Sequence, residues 1–128
     1  MAKEVIQTNE APAPIGPYSQ AIKAGNMLYV SGQIALDAGS GELINDNITE
    51  ETHQVMKNLE AILRAAGGSF AQVVKCSIFV KSMGDFATVN DAYGQYFKEI
   101  PPARETVEVR DLPKHVNVEI SCVAALDA

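Results

Sequence analysis

Arg104 follows Pro101-Pro102-Ala103 and opens an alternating run, Glu105-Thr106-Val107-Glu108-Val109. Glu119 sits in a second strand-like run, between Val118 and Ile120. These two side chains suit complementary tasks. A guanidinium is planar and grips a carboxylate through paired N–H donors. A carboxyl among apolar neighbours has its pKa raised by burial and becomes a proton carrier. If the two runs face one pocket, the chain holds a small carboxylic acid and moves a proton on it. A plainer reading stays open for each residue. Arg104 could serve a structural ion pair with Glu105 or Glu119, and Glu119 could be a partly buried acid satisfied at an interface.

Other chemistries find little support. His53 and His115 are far apart, with no Cys or carboxylate at ligand spacing, so no metal set is expected and both read as surface histidines. Gly67-Gly68 follows a helical run rather than preceding one, so it is not a phosphate-binding loop. Cys76 and Cys122 both fall in strand-like runs and read as buried reduced thiols.

The elements that position these residues follow from periodicity. Val5–Thr8 reads as a short strand, and the proline-rich stretch from Asn9 to Pro17 as a loop. Tyr18–Ala24 and Met27–Gln33 are apolar-rich runs joined by Gly25-Asn26, a two-residue hairpin signal. Asp37–Asn47 carries turn residues throughout. Thr49–Ala66 predicts a helix, with Thr49 as N-cap, Glu50 and Glu51 in the first turn, and an apolar stripe of Val55, Met56, Leu59, Ile62 and Leu63. Gly67-Gly68 ends it. Val73–Val80 predicts a strand too continuously apolar for a free face. Asp85 predicts the cap of a second helix reaching about Phe97, with Phe86, Val89, Tyr93, Tyr96 and Phe97 along its apolar side. Glu105–Val109 and Val116–Val123 are the last two strands. The order β-β-β-α-β-α-β-β implies a single α+β domain over residues 1–128, with two helices on one face of a mixed six-stranded sheet. No further helix is available for the other face, so oligomerisation through it is expected.

Composition narrows the partners. The chain has 128 residues, 47% hydrophobic and 20% charged, with a formal net charge of −6. That balance disfavours nucleic acid and anionic membranes, which call for a basic surface. No apolar run approaches the roughly 20 residues that span a bilayer. The first residues lack a signal peptide's apolar core, so a cytoplasmic location is the expectation.

Four stretches in register carry a family resemblance: Gly16-Pro17-Tyr18-Ser19-Gln20, Ser31-Gly32-Gln33-Ile34, Asp85-Phe86-Ala87-Thr88-Val89-Asn90, and Pro102-Ala103-Arg104 through Leu112-Pro113-Lys114 to Val118-Glu119-Ile120. On these the chain resembles the Rid family, most of all its RidA (YjgF-type) branch of imine deaminases. The resemblance covers essentially the whole chain. It implies a chorismate-mutase-like fold and a homotrimer, with three sheets forming a barrel-like centre and active sites in the clefts between subunits. It implies cofactor-independent hydrolysis of enamines and imines such as 2-aminoacrylate and 2-iminobutanoate to 2-keto acids and ammonia.

By the same resemblance, Arg104 stands at the carboxylate-binding position and Glu119 at the position that activates water. Tyr18, Ser31, Gly32 and Asn90 stand at ligand-side positions. Thr106 replaces the cysteine that many RidA proteins carry, which argues against a thiolate mechanism, and Ser121 replaces a usual acidic residue. Thr106 keeps a hydroxyl that can donate a hydrogen bond. Some members of the family are described as translation inhibitors with ribonuclease activity or as regulators of purine metabolism. The acidic charge argues against RNA cleavage here. The alternative from another class is a regulatory module that binds a small keto acid without turning it over.

Overall fold

The computed structural model describes residues 2–128. Six strands form one sheet: β1 (Lys3–Ile6), β2 (Ala21–Ala24), β3 (Met27–Gln33), β4 (Val73–Val80), β5 (Ala103–Glu108) and β6 (Val118–Ala125). Two helices, α1 (Ile48–Ala65) and α2 (Phe86–Gly94), separate β3 from β4 and β4 from β5. The strand order is β1-β2-β3-β6-β4-β5. Only β4 and β5 run parallel, joined by the α2 crossover that such a pair requires. The mixed six-stranded α+β sheet read from the sequence is therefore present.

Alternation sets the two faces. On one, Leu28, Val30, Cys76, Ile78, Val80, Val118, Ile120 and Cys122 are buried against Val55, Met56, Leu59, Ile62 and Leu63 of α1 and against Val89 and Tyr93 of α2. Truncating a fully buried member of this set, such as Leu59→Ala, costs about 2–5 kcal/mol. On the other face β4 presents half-buried Lys75, Ser77 and Phe79, so its apolar run has one packed and one open side. Exposed Val5, Tyr29 and Val107 extend that open side across the sheet. Both cysteines are buried and free, as expected.

Several boundaries differ from the sequence reading, each for a local reason. Tyr18–Gln20 lies outside β2, because the Gln20 side chain leaves the ladder to tie Thr8, Ala11 and Pro12. The cap of α1 is Asn47 rather than Thr49: its side-chain oxygen accepts from Glu50 N–H at 2.8 Å. Asn caps at least as well as Thr, and Ile48 then enters the helix. At the far end Gly67 takes φ +81°, and the Gly68 N–H reaches back to Leu63 O at 2.8 Å. Glycine meets that left-handed geometry without strain.

Asp85 caps nothing with its side chain. Ser82 instead accepts from Gly84 N–H and starts a 3-10 turn, Met83–Asp85, that leads into α2. That helix stops at Gly94, short of Phe97. Tyr96 and Phe97 then turn onto Phe70, with ring centroids 5.3 and 5.4 Å away. His53 is no free surface histidine either: it is half-buried, with Nδ1 2.8 Å from the Tyr96 hydroxyl. His115 is exposed as expected, in a turn and against Asp111. No helix among the described residues is long and apolar enough to cross a membrane.

Candidate active site

A fault in the sheet builds the first half of the site. Between Val30 and Gln33 the β3–β6 register slips: Val30 faces Cys122, yet Gln33 faces Ile120. Three steps on β3 match two on β6, so Ser31-Gly32 carries the extra residue of a β-bulge. Ser31 is pinned there, its N–H donating to Gln20 O at 2.9 Å and its hydroxyl to Ser19 O at 2.6 Å. The Glu119 side chain lies across Gly32. A Cβ on Gly32 would stand 2.8 Å from Glu119 Cδ and closer still to its Oε2. Only a residue without a side chain leaves that carboxylate room.

Tyr18, Ser31, Gly32 and Glu119 share a cavity of about 330 Å³, with Ile15, Ile34, Leu36 and Pro113 supplying apolar wall. Tyr18 is 49% exposed, and its hydroxyl oxygen accepts from Ile15 N–H at 3.3 Å. Burial pushes the Glu119 carboxyl above the usual carboxylate range. No hydrogen bond or ion pair satisfies Glu119 among the described residues.

A buried helix residue steadies this strand. Glu51 is fully buried in the first turn of α1. Its carboxylate accepts from Asn117 N–H and Asn117 Nδ2, each at 2.8 Å, and from Val118 N–H at 3.2 Å. It thus anchors the two residues immediately before Glu119. Sequence reasoning gave Glu51 only a helix-end charge role. The one signal available was a carboxylate beside the apolar stripe.

The second half stands on the other side of the sheet. Arg104 pairs with Cys76 on β4, and Glu119 pairs with Phe79. Those β4 positions are three apart, so they point to opposite faces. Arg104 and Thr106 therefore face the helices, while Glu119 faces away. The expectation that both runs open into one pocket fails within a single chain. The strand β4 lies between β5 and β6, and the parity of its register separates the two side chains.

Neither structural ion pair considered for Arg104 exists. Glu105 points the other way, to the Ser77 hydroxyl and to Lys75 Nζ at 2.9 Å, and these hold its carboxyl below the usual range. Arg104 instead donates from Nη1 to Asn90 Oδ1 at 2.7 Å. Its guanidinium carbon lies 5.2 Å from the Tyr93 ring centroid and 5.6 Å from that of Phe86. No carboxylate pairs with it among the described residues. The Thr106 hydroxyl oxygen, on the same face, is buried without a hydrogen-bond partner among the described residues. The described residues contain no cluster of His, Cys, Asp and Glu suited to a metal ion.

Residues 8–126 match the family model described as Endoribonuclease L-PSP. The chain belongs to that family, the one that includes the RidA proteins. A RutC family protein of Pyrococcus horikoshii is 52% identical over 122 residues, covering 95% of this chain and 97% of that one. Reactive Intermediate Deaminase A of Arabidopsis thaliana, a chloroplastic protein, is 44% identical over 124 residues, covering 97% of this chain and 66% of that one. Among solved structures, Escherichia coli TdcF with bound serine superposes with a TM-score of 0.92 at 36% identity, covering 95% of this chain and 98% of that one. The L-PSP family fold and the RidA resemblance are thus confirmed at the level of the whole chain.

Proposed function

We propose that this chain hydrolyses the imines of small 2-keto acids, with 2-aminoacrylate, 2-iminopropanoate and 2-iminobutanoate as substrates. One observation carries the reading: two opposite charges, Arg104 and Glu119, each stand half-buried without a counter-charge among the described residues, on opposite faces of the sheet. A charge drawn partly out of water with no counter-ion costs free energy, and that cost supports a role toward a ligand. The relative named Reactive Intermediate Deaminase A supports this class of reaction, and the TdcF structure named with bound serine supports a small ligand bearing a carboxylate.

The two halves meet when Arg104 of one subunit closes over the Glu119 cavity of the next. A homotrimer with head-to-tail contacts, as the family resemblance implies, brings them together in this way. The open sheet face, with Tyr29 and Val107 exposed, supplies apolar surface for it. Arg104 grips the substrate carboxylate through its remaining N–H donors. An enamine first takes a proton at carbon and loses one from nitrogen to become the imine. Water then attacks the imine carbon as the Glu119 carboxylate accepts one of its protons, and that proton passes to nitrogen to give the neutral carbinolamine. Glu119 next takes the carbinolamine hydroxyl proton and delivers it to nitrogen, so the C–N bond breaks and ammonia leaves as the C=O forms. Tyr18, Ser31 and Thr106 order the water and the polar edge of the ligand. Neither a cofactor nor a nucleophilic side chain is called for.

The test generates an imine in situ from an amino acid with an oxidase or dehydratase. It follows decay in competition with semicarbazide. Wild type is expected to speed keto-acid release. Arg104→Ala and Glu119→Ala are each expected to lose about 10²–10⁴-fold. A wild type that binds 2-oxobutanoate through Arg104 yet hydrolyses nothing would make the protein a sensor of keto acids.

A further inference from the structure

We infer that Phe86, Asn90 and Tyr93 of α2 are positioning residues for Arg104, which they hold as a preset carboxylate grip before any ligand arrives. The inference rests on the reading of Arg104 given above. The three positions are i, i+4 and i+7, one stripe of a helix. The Asn90 carbonyl oxygen takes one guanidinium N–H at 2.7 Å. The rings of Phe86 and Tyr93 lie 5.6 and 5.2 Å from the guanidinium carbon, within cation–π range. An arginine on an edge strand is otherwise free to sweep several rotamers, and fixing it on binding costs affinity. Here one hydrogen bond and two ring faces hold the head group, and none neutralises its charge. A carboxylate from Asp or Glu would have held it equally well and silenced it.

Tyr93 sharpens the argument. It is 5% exposed, and its hydroxyl lies against the Cys76 thiol rather than against Arg104. The ring is the part that meets Arg104.

The experiment has two arms. In the ligand-free protein, the Arg104 Nε–Hε resonance is recorded by NMR, assigned by its loss in Arg104→Lys. In parallel, the Kd for 2-oxobutanoate and the kinetic constants for imine hydrolysis are measured. Phe86→Leu, Tyr93→Leu and Asn90→Ala should each move the Hε resonance toward its solvent-exposed position. Each should also raise Kd and KM by about three- to tenfold with kcat largely held. Tyr93→Phe should restore most of what Tyr93→Leu loses, in both arms. An Hε resonance and a Kd unmoved by the three substitutions would overturn the inference while leaving Arg104 as the carboxylate site. A wild type that shows the ring-shifted resonance but hydrolyses no imine would instead overturn the deaminase reading and leave the clamp standing.

Discussion

The Glu119 side and the Arg104 side of this sheet hold a single charge by opposite means. At Glu119 the backbone makes room: a bulge at Ser31-Gly32 and the missing Cβ of Gly32 let the carboxylate lie against the strand. Nothing among the described residues satisfies it, and burial pushes its pKa up. At Arg104 side chains supply the hold, with an amide and two rings fixing the cation. The comparison teaches that a proton carrier is prepared by poor solvation, whereas a grip is prepared by rigidity. It also teaches that neither half is a site alone.

Subunit mixing should break or sharpen that division most sharply. Arg104→Ala and Glu119→Ala are each expected to be inactive as pure proteins. If each site takes its Arg from one subunit and its Glu from the neighbour, random co-assembly of equal amounts leaves about one quarter of the sites intact. Refolding the two variants together and assaying imine hydrolysis reads this directly. Activity no higher than that of either variant alone would mean that one chain supplies both groups.

Gly32→Ala tests the Glu119 side by itself. The new methyl meets the carboxyl carbon at 2.8 Å, so Glu119 must swing away. Gly32 does not require a left-handed backbone, so the fold should survive with a small fall in Tm. A misplacement on the order of 1 Å costs about 10²-fold in kcat. The Kd for 2-oxobutanoate should change less, since Arg104 is untouched. Loss of keto-acid binding equal to the loss in kcat would show that the two halves are not separable.

Much of the fold could be read in advance, because its signals are local. The Gly25-Asn26 hairpin, the apolar stripe of α1 and the Gly67-Gly68 stop each lie within one short window, and Gly25 and Gly67 adopt the positive φ their turns need. The site could be read as residue types but not as a geometry. Alternation tells which way Arg104 and Glu119 point within their own strands. It does not tell that β4 sits between those strands, and the relative facing depends on that register. Glu51 was misread for the same reason, since its three donors lie 66 and 67 residues away. Gly32 was read only as a ligand-side position. The space it opens is filled by Glu119.

A smaller effect is expected from pH. Burial raises the Glu119 pKa in the folded chain above its value of 4.5 when unfolded. The folded state thus binds more protons between those two values, and stability falls as pH rises through that window. Glu119→Gln removes the penalty. The variant should match wild type below about pH 4.5 and gain on it as pH rises, levelling off above the folded pKa. Chemical denaturation across this range checks the sign. In activity the order reverses, because wild type should lose rate as acid protonates Glu119. A stability difference constant with pH would mean that Glu119 is no more desolvated folded than unfolded.

The mildest change probes the Arg104 side. Thr106→Val keeps the shape of the side chain and removes a buried hydroxyl that nothing among the described residues satisfies. A hydroxyl in a structural hydrogen bond would cost about 1 kcal/mol on removal. An orphaned one should cost nothing and can return up to about 1 kcal/mol, because its desolvation was never offset. The urea midpoint should therefore hold or rise at constant m value. If the hydroxyl is kept for the ligand, KM should rise about threefold to tenfold in the same variant. Stability held and KM raised would place the hydroxyl beside the grip of Arg104. Stability lost with KM unchanged would return Thr106 to the core.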